Sequence, residues 1–337
     1  MIDPRLPLID LHRHLDGTMR LETVLDLARQ HGVALPAADV EGLRRHVEVD
    51  GTEPDLMTFI GRMCLLTGVL ADYDACRRVA YENVVDAQRE GLDHVELRFS
   101  PWFMAEPHGL DPAGVVAGVV DGFEAAVRDS GMSARLIGTL SRTYGPEACR
   151  GELEALLTRS DHLAAIDLAG DEEKYPAVGF VRHFEQARDA GLQVTVHAGE
   201  AAGPESVWSA IRDLGAVRIG HAVRAVEDPA LLDDMAERRI GVEANLTSNV
   251  QTSTVASYEV HPLKAILEHG ILATLNTDDP TISGIDLRYE YEVAAPRAGL
   301  TREEIRRAQA NALQIAFLSE GEKEALQTRA RARGRGQ

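Results

Sequence analysis

Short apolar runs rich in β-branched residues recur along the chain. Longer segments with apolar positions at i, i+3 and i+4 separate them. Eight runs read as strands: 8–11, 94–98, 134–140, 163–168, 193–196, 217–219, 240–243 and 271–275. Segments such as 180–190 and 229–238 carry helical spacing, and Gly191 and Gly270 stand where helices stop. Regular strand–helix alternation implies parallel pairing. Eight units in one chain predict an α/β fold, a closed (β/α)8 barrel of the TIM type, with residues 1–337 forming one domain.

The alternation is uneven in one place. Residues 18–91 separate the first run from the second, too long for a plain strand–helix unit, and 21–30 and 56–69 look helical. The insertion leaves from the end of strand one, the face on which barrel active sites form. It is read as a helical lid, with an inert insertion as the alternative. A doubly wound open sheet would place a Gly-rich phosphate loop after the first strand. That position holds HRHLDG instead.

Charge narrows the partners. Lys+Arg 35 against Asp+Glu 54 gives a net charge of −19. This disfavours nucleic acid and anionic membrane, and fits a small-molecule substrate. No apolar stretch approaches the roughly 20 residues that span a bilayer, and no signal-peptide pattern surrounds Asp3. Cys64, Cys76 and Cys149 are scattered and odd in number, which suggests a reducing, cytoplasmic setting and a metal held by nitrogen and oxygen. The tail 325–337 alternates Arg with Ala and Gly and is read as a frayed helix end. Nothing in the pattern speaks to oligomeric state.

Candidate chemistry gathers at strand ends. His12 and His14 form an HxH pair, and residues i and i+2 of a strand point to the same side. Alone, such a pair is as readily a buried, hydrogen-bonded histidine or a solvated loop. Matching pieces follow at other strand ends: His197 and Glu200 in VHAGE, His221 in IGHA, and Asp278 and Asp279 in NTDDP. The C-terminal strand ends of a barrel converge on one mouth. Three histidines and a carboxylate there suit Zn²⁺ with an open position for water. His94 begins a strand and is expected at the opposite end.

HRHLDG, DLAGDE, VHAGE, IGH, LTSN and NTDDP occur in the order and spacing of the adenosine deaminase family of the amidohydrolase superfamily. The chain resembles the bacterial form of that family from Leu6 to about Lys323. The resemblance implies a metal-dependent hydrolase that turns adenosine and 2′-deoxyadenosine into inosine and 2′-deoxyinosine plus ammonia, in purine salvage. A related nucleoside such as aminodeoxyfutalosine is the alternative substrate, and a non-catalytic nucleoside-binding protein the third reading. It further implies His12, His14, His197 and Asp278 as zinc ligands, Glu200 as the acid at purine N1, and His221 as base or orienting group for the attacking water. Asp279 is then the partner of N7, Gly170 the N–H donor to N3, and Asp16 the contact to ribose. Related two-metal barrels bridge their ions with a lysine ending strand four. Lys174, Lys264 and Lys323 are all elsewhere, so one zinc per chain is expected. The chemistry calls for a raised pKa at Glu200 and a protonated Asp279 that donates to N7, itself an acceptor. Gly170 reads equally as a turn residue, and Asp16 as a helix cap. Two positions depart from the family: Ala222 stands where glycine is usual, and Met63-Cys64-Leu65 lacks the usual aspartate and aromatic. Both bear on which nucleoside is accepted.

Overall fold

The computed structural model describes residues 1–334. Its eight strands form one parallel series in chain order: β1 (Ile9–His14), β2 (His94–Phe99), β3 (Ser133–Ser141), β4 (Leu163–Ala169), β5 (Gln193–Ala198), β6 (Arg218–His221), β7 (Gly241–Ala244) and β8 (Leu272–Leu275). Each predicted run falls on one of them. β1 extends past Leu11 because Arg13 and His14 pair with Leu97 and Arg98 of β2, after a register shift that follows Asp10. The ring closes just beyond β8. His14 N–H donates to the Asp278 carbonyl and Asp278 N–H to the His12 carbonyl, both at 2.8 Å.

The barrel interior carries charge. Arg218 on β6 donates to Glu96 on β2 and to Glu243 on β7, each at 2.6 Å. β2 and β6 are not neighbours in the sheet, so this contact crosses the lumen. Arg98 on β2 donates to Glu243 at 2.7 Å and to Asp167 on β4 at 2.9 Å. All five side chains are fully or almost fully buried. Apolar residues on the outer faces of the strands pack against the surrounding helices.

Residues 18–91 fold as four helices: α1 (Leu21–His31), α2 (Val40–Val47), α3 (Leu56–Thr67) and α4 (Tyr73–Arg89). The sequence pattern marked the first and third. Asp39, Asp55 and Asp72 start the last three by accepting backbone N–H groups at 2.8, 2.7 and 2.8 Å. α4 packs along the helix Pro112–Ser130, whose Gly114, Gly118 and Gly122 share one face. A Cβ at Gly122 would lie 2.0 Å from the Arg77 carbonyl oxygen.

The tail corrects its expectation. Instead of fraying from 325, the chain runs as a helix over Glu320–Arg333. Ser319 and Glu322 form a capping box, Leu326 and Ala330 are buried, and Arg333 holds Asp93 through hydrogen bonds of 2.8 and 2.9 Å. The Arg–Ala alternation hides one buried stripe among solvated arginines. Residues 335–337 of the expected tail lie outside the described residues. Among the described residues no helix is long and apolar enough to cross a membrane.

Gly122→Ala drives a methyl into Arg77 and is expected to cost about 1–3 kcal/mol of stability. Urea unfolding should show a lower midpoint at unchanged slope. A wild-type midpoint would mean that the two helices separate freely.

Candidate active site

The alternation of β1 sends His12 and His14 to one side, while Arg13 turns away to hold Glu90 with two hydrogen bonds of 2.7 Å. His197 near the end of β5, His221 ending β6 and Asp278 beyond β8 meet the pair. His12 Nε2 and His14 Nε2 lie 3.1 and 3.2 Å from His197 Nε2. Asp278 Oδ1 is 3.1 Å from His12 Nε2 and 3.4 Å from His14 Nε2. Donors about 2.0–2.1 Å from a tetrahedral ion sit at roughly such separations from one another. Each ring also faces a carboxylate with its other nitrogen. His12 Nδ1 is 2.7 Å from Glu243, His197 Nδ1 is 3.0 Å from Asp167, and His14 Nδ1 is 3.6 Å from Asp16. A proton held at Nδ1 leaves the Nε2 lone pair free for a cation. The donor set therefore fits a divalent ion.

A second quartet overlaps the first: His12, His197, His221 and Asp278 offer atoms within 4.8 Å of one another. His221 approaches Asp278 only to 3.8 Å, further than His14 does. Its Nδ1 is engaged 2.9 Å from Asn249 Nδ2. His14 Nε2 lies nearer Asp278, at 3.4 Å, so both rings border the cluster.

Electrostatics separate the roles. Burial, then the Asp278 and Glu172 carboxylates, push the Glu200 carboxyl well above the usual carboxylate range. Burial and the adjacent Asp278 do the same to Asp279. Burial alone would raise Asp278 too, but His221, His12 and His14 hold it well below its ordinary value. Burial alone would lower His14, yet Asp279, Asp16 and Asp278 lift it to about 9. Burial lowers His197 to about 4. The carboxylates thus favour a positive charge at His14, while His197 offers a neutral nitrogen.

A cavity of about 280 Å³ opens above the cluster. His14, Asp16, Gly170, His197, Glu200, His221, Asp278 and Asp279 all line it, while His12 lies beneath. Asp16 Oδ1, Glu200 Oε1, Asp279 Oδ1, Thr139 Oγ1 and Ser248 Oγ are buried there without a hydrogen-bond partner. Unpaired buried acceptors are rare, so a ligand-sized set in one cavity points to a binding site. Asp16 does not cap α1, whose N-cap is Arg20; instead its Oδ2 accepts the Ser100 N–H at 3.2 Å. Gly17 leaves the space that Asp279 fills, since a Cβ there would lie 1.6 Å from Asp279 Oδ1. Gly170 has φ 109° and approaches Thr143 Oγ1, so its turn role holds while it also faces the cavity. α3 supplies the opposite wall with Leu56, Phe59, Ile60, Met63 and Cys64. Phe59, one turn before Met63, is buried and gives this wall an aromatic ring. Ala222 accommodates its methyl in full burial, at φ 54°. His94 begins β2, at the far end of the barrel.

Several residues escaped sequence reasoning. Glu243, Asp167 and Arg98 support the histidines from other strands. Glu172 accepts four backbone N–H groups, from Gly199, Glu200, Ala201 and Ala202, at 2.6, 3.1, 2.8 and 3.0 Å. It thereby holds the turn that carries Glu200. Its only sequence signal was its place in DLAGDE.

A parallel eight-stranded barrel with this mouth defines an amidohydrolase-type hydrolase. The family described as adenosine deaminase matches residues 7–332, and the chain belongs to it. A Vibrio cholerae adenosine deaminase is 58% identical over 99% of this chain and 100% of its own length. A Salmonella paratyphi C adenosine deaminase is 60% identical, covering 97% and 98%. Among solved structures, adenine deaminase of Arthrobacter aurescens superposes with a TM-score of 0.88 at 26% identity, covering 96% of this chain and 98% of that one. An amidohydrolase of Burkholderia ambifaria with bound Zn gives 0.87 at 25%, covering 99% and 92%. Arabidopsis ADAL complexed with GMP gives 0.82 at 25%, covering 98% and 97%.

Arg98→Met leaves Glu243 and Asp167 buried without their shared cation. Removing one partner of a buried ion pair costs about 3–5 kcal/mol. The unfolding midpoint should fall and the affinity for an added divalent ion should drop. Normal values of both would show the bridge to be dispensable.

Proposed function

We propose that this protein hydrolyses adenosine and 2′-deoxyadenosine to inosine and 2′-deoxyinosine plus ammonia, with one Zn²⁺ held by His12, His14, His197 and Asp278. The observation that carries this reading is the convergence of three Nε2 atoms, each backed by a carboxylate at Nδ1, on the floor of a cavity of unpartnered acceptors. When bound there, Zn²⁺ lowers the pKa of a coordinated water to about 7. The strand-four end carries Ala169 and Gly170 rather than a lysine, which supports a single ion.

The chain's own groups do the rest. Glu200, kept protonated by burial and its acidic neighbours, presents a proton to purine N1. A proton there withdraws electron density and readies C6 for attack. Asp279, protonated for the same reason, donates to N7. The Gly170 N–H serves N3, Asp16 takes the ribose hydroxyls, and His221 faces the attacking water. The apolar wall of α3 keeps bulk water out, and residues 18–91 act as the lid of a single-domain barrel formed by 1–337. No Lys or Arg is among the cavity's lining residues, while Asp16, Asp278 and Asp279 are. This favours an uncharged nucleoside over a nucleotide. The free thiols of Cys64, Cys76 and Cys149 suit a cytoplasmic setting.

A substrate panel on zinc-quantified protein tests the reading. Adenosine and 2′-deoxyadenosine should turn over far faster than AMP or aminodeoxyfutalosine, and a reversed order sinks it. Chelation should abolish turnover and added zinc restore it. Glu200→Gln should still bind a purine nucleoside while losing the roughly 10²–10⁴-fold that proton transfer supplies. Asp279→Asn, which can still donate, should keep more activity than Asp279→Ala; equal losses would count against a donor at N7.

A further inference from the structure

Behind His221 lies a row of side chains with no role so far. Asn249, from the LTSN segment, touches His221, and buried His261 lies behind Asn249. The direction of every hydrogen bond in the row follows from its far end. The Leu263 backbone N–H donates to His261 Nδ1 at 3.1 Å. A backbone amide nitrogen can only donate, so this ring nitrogen carries no proton. His261 is 5% exposed, and burial pulls its pKa down to about 3. The neutral ring therefore has its one proton on Nε2. That N–H points at Asn249 Oδ1, 3.2 Å away. With Oδ1 accepting, the amide must turn Nδ2 toward His221, where it stands 2.9 Å from Nδ1. An amide nitrogen is again a donor only, so His221 Nδ1 accepts. A proton on that nitrogen would set two N–H groups against each other.

We propose that His261 and Asn249 are positioning residues that hold His221 as the Nε2–H tautomer. His221 then offers a hydrogen bond to the attacking water and has no lone pair on that nitrogen with which to take its proton. The row has something to oppose. An ionised Glu200, whose Oε1 lies 3.4 Å from His221 Nδ1, would draw the proton to that side. Asn245 Nδ2 is 3.4 Å from both ring nitrogens and favours neither. The inference rests on the proposed deaminase reading for what His221 faces, but the tautomer itself can be read without turnover.

The test uses the zinc-loaded, full-length protein with ¹⁵N-labelled histidine. Long-range ¹H–¹⁵N spectra report which nitrogen of each ring is protonated. The wild type should show Nε2–H at both His261 and His221. A proton on His221 Nδ1 overturns the proposal, even if adenosine is turned over normally. Asn249→Asp, which accepts from both rings, should move the His221 proton to Nδ1. It should also lower kcat on the order of 10²-fold, the scale of a misoriented catalytic group, with little change in KM. His261→Gln, whose amide can still donate to Asn249, should keep kcat that His261→Phe loses. Equal kcat for Asn249→Asp and wild type would overturn the assignment. A wild type with the expected tautomer but no adenosine turnover would instead refute the deaminase reading alone.

Discussion

Two buried carboxylates sharing one guanidinium decide what the mouth of this barrel can hold. Glu243 and Asp167 fix the outer nitrogens of His12 and His197, and Arg98 bridges the two carboxylates from β2. Without a cation between them, two anions in a desolvated lumen would repel and draw protons. With it, they stay ionised and both imidazoles keep their inward lone pairs. Arg218 extends the same balance downward, pairing Glu243 with Glu96 while its guanidinium stacks on the Phe317 ring, 3.6 Å from its centre. The lumen is thus an alternating column of charge whose upper end is a ligand set. The fold's stability and the site's protonation state have one electrostatic cause.

That column explains what the sequence disclosed and what it withheld. The strands were legible because barrel strands are buried on both faces and read as apolar runs between helical patterns. The histidines and acids at their ends were legible as polar residues breaking off those runs. Arg98 and Glu243 sit within strands, and their meaning depends on a partner across the lumen, 145 positions away in the chain. Glu172 is similarly silent until the chain folds, because its four partners are backbone groups. Asn249 and His261 look like ordinary polar residues of a helix and a loop. α2 went unmarked because it is short and α4 because its pattern is mixed, and the tail helix because only Leu326 and Ala330 of its last turns are buried.

Strain collects at the same end of the barrel. His221, Ala222 and Asp278 adopt φ of 65, 54 and 63°, a region that residues other than glycine enter at a cost of order 1–3 kcal/mol each. At Ala222 the backbone conformation is the one the family's usual glycine would adopt freely. The Gly199 carbonyl accepts the Arg224 N–H at 2.9 Å, which pins the β6 exit. These turns aim His221 and the Asp278 carboxylate inward rather than along their strands. Helix α3 then closes the remaining side with an apolar wall, so the same constraints that gather charge below also leave a cavity above it.

One residue does double service at the last gap in the ring. The backbone of Asp278 supplies the two backbone hydrogen bonds that join the β8 exit to β1, and its carboxylate stands among the imidazoles. The stave that finishes the cask is also a finger of the hand inside it. A fluctuation that parts this seam must also move the carboxylate among the imidazoles, and an ion held there would rivet the cask shut. Retention of such an ion and wholeness of the barrel would then be two readings of a single mechanical state.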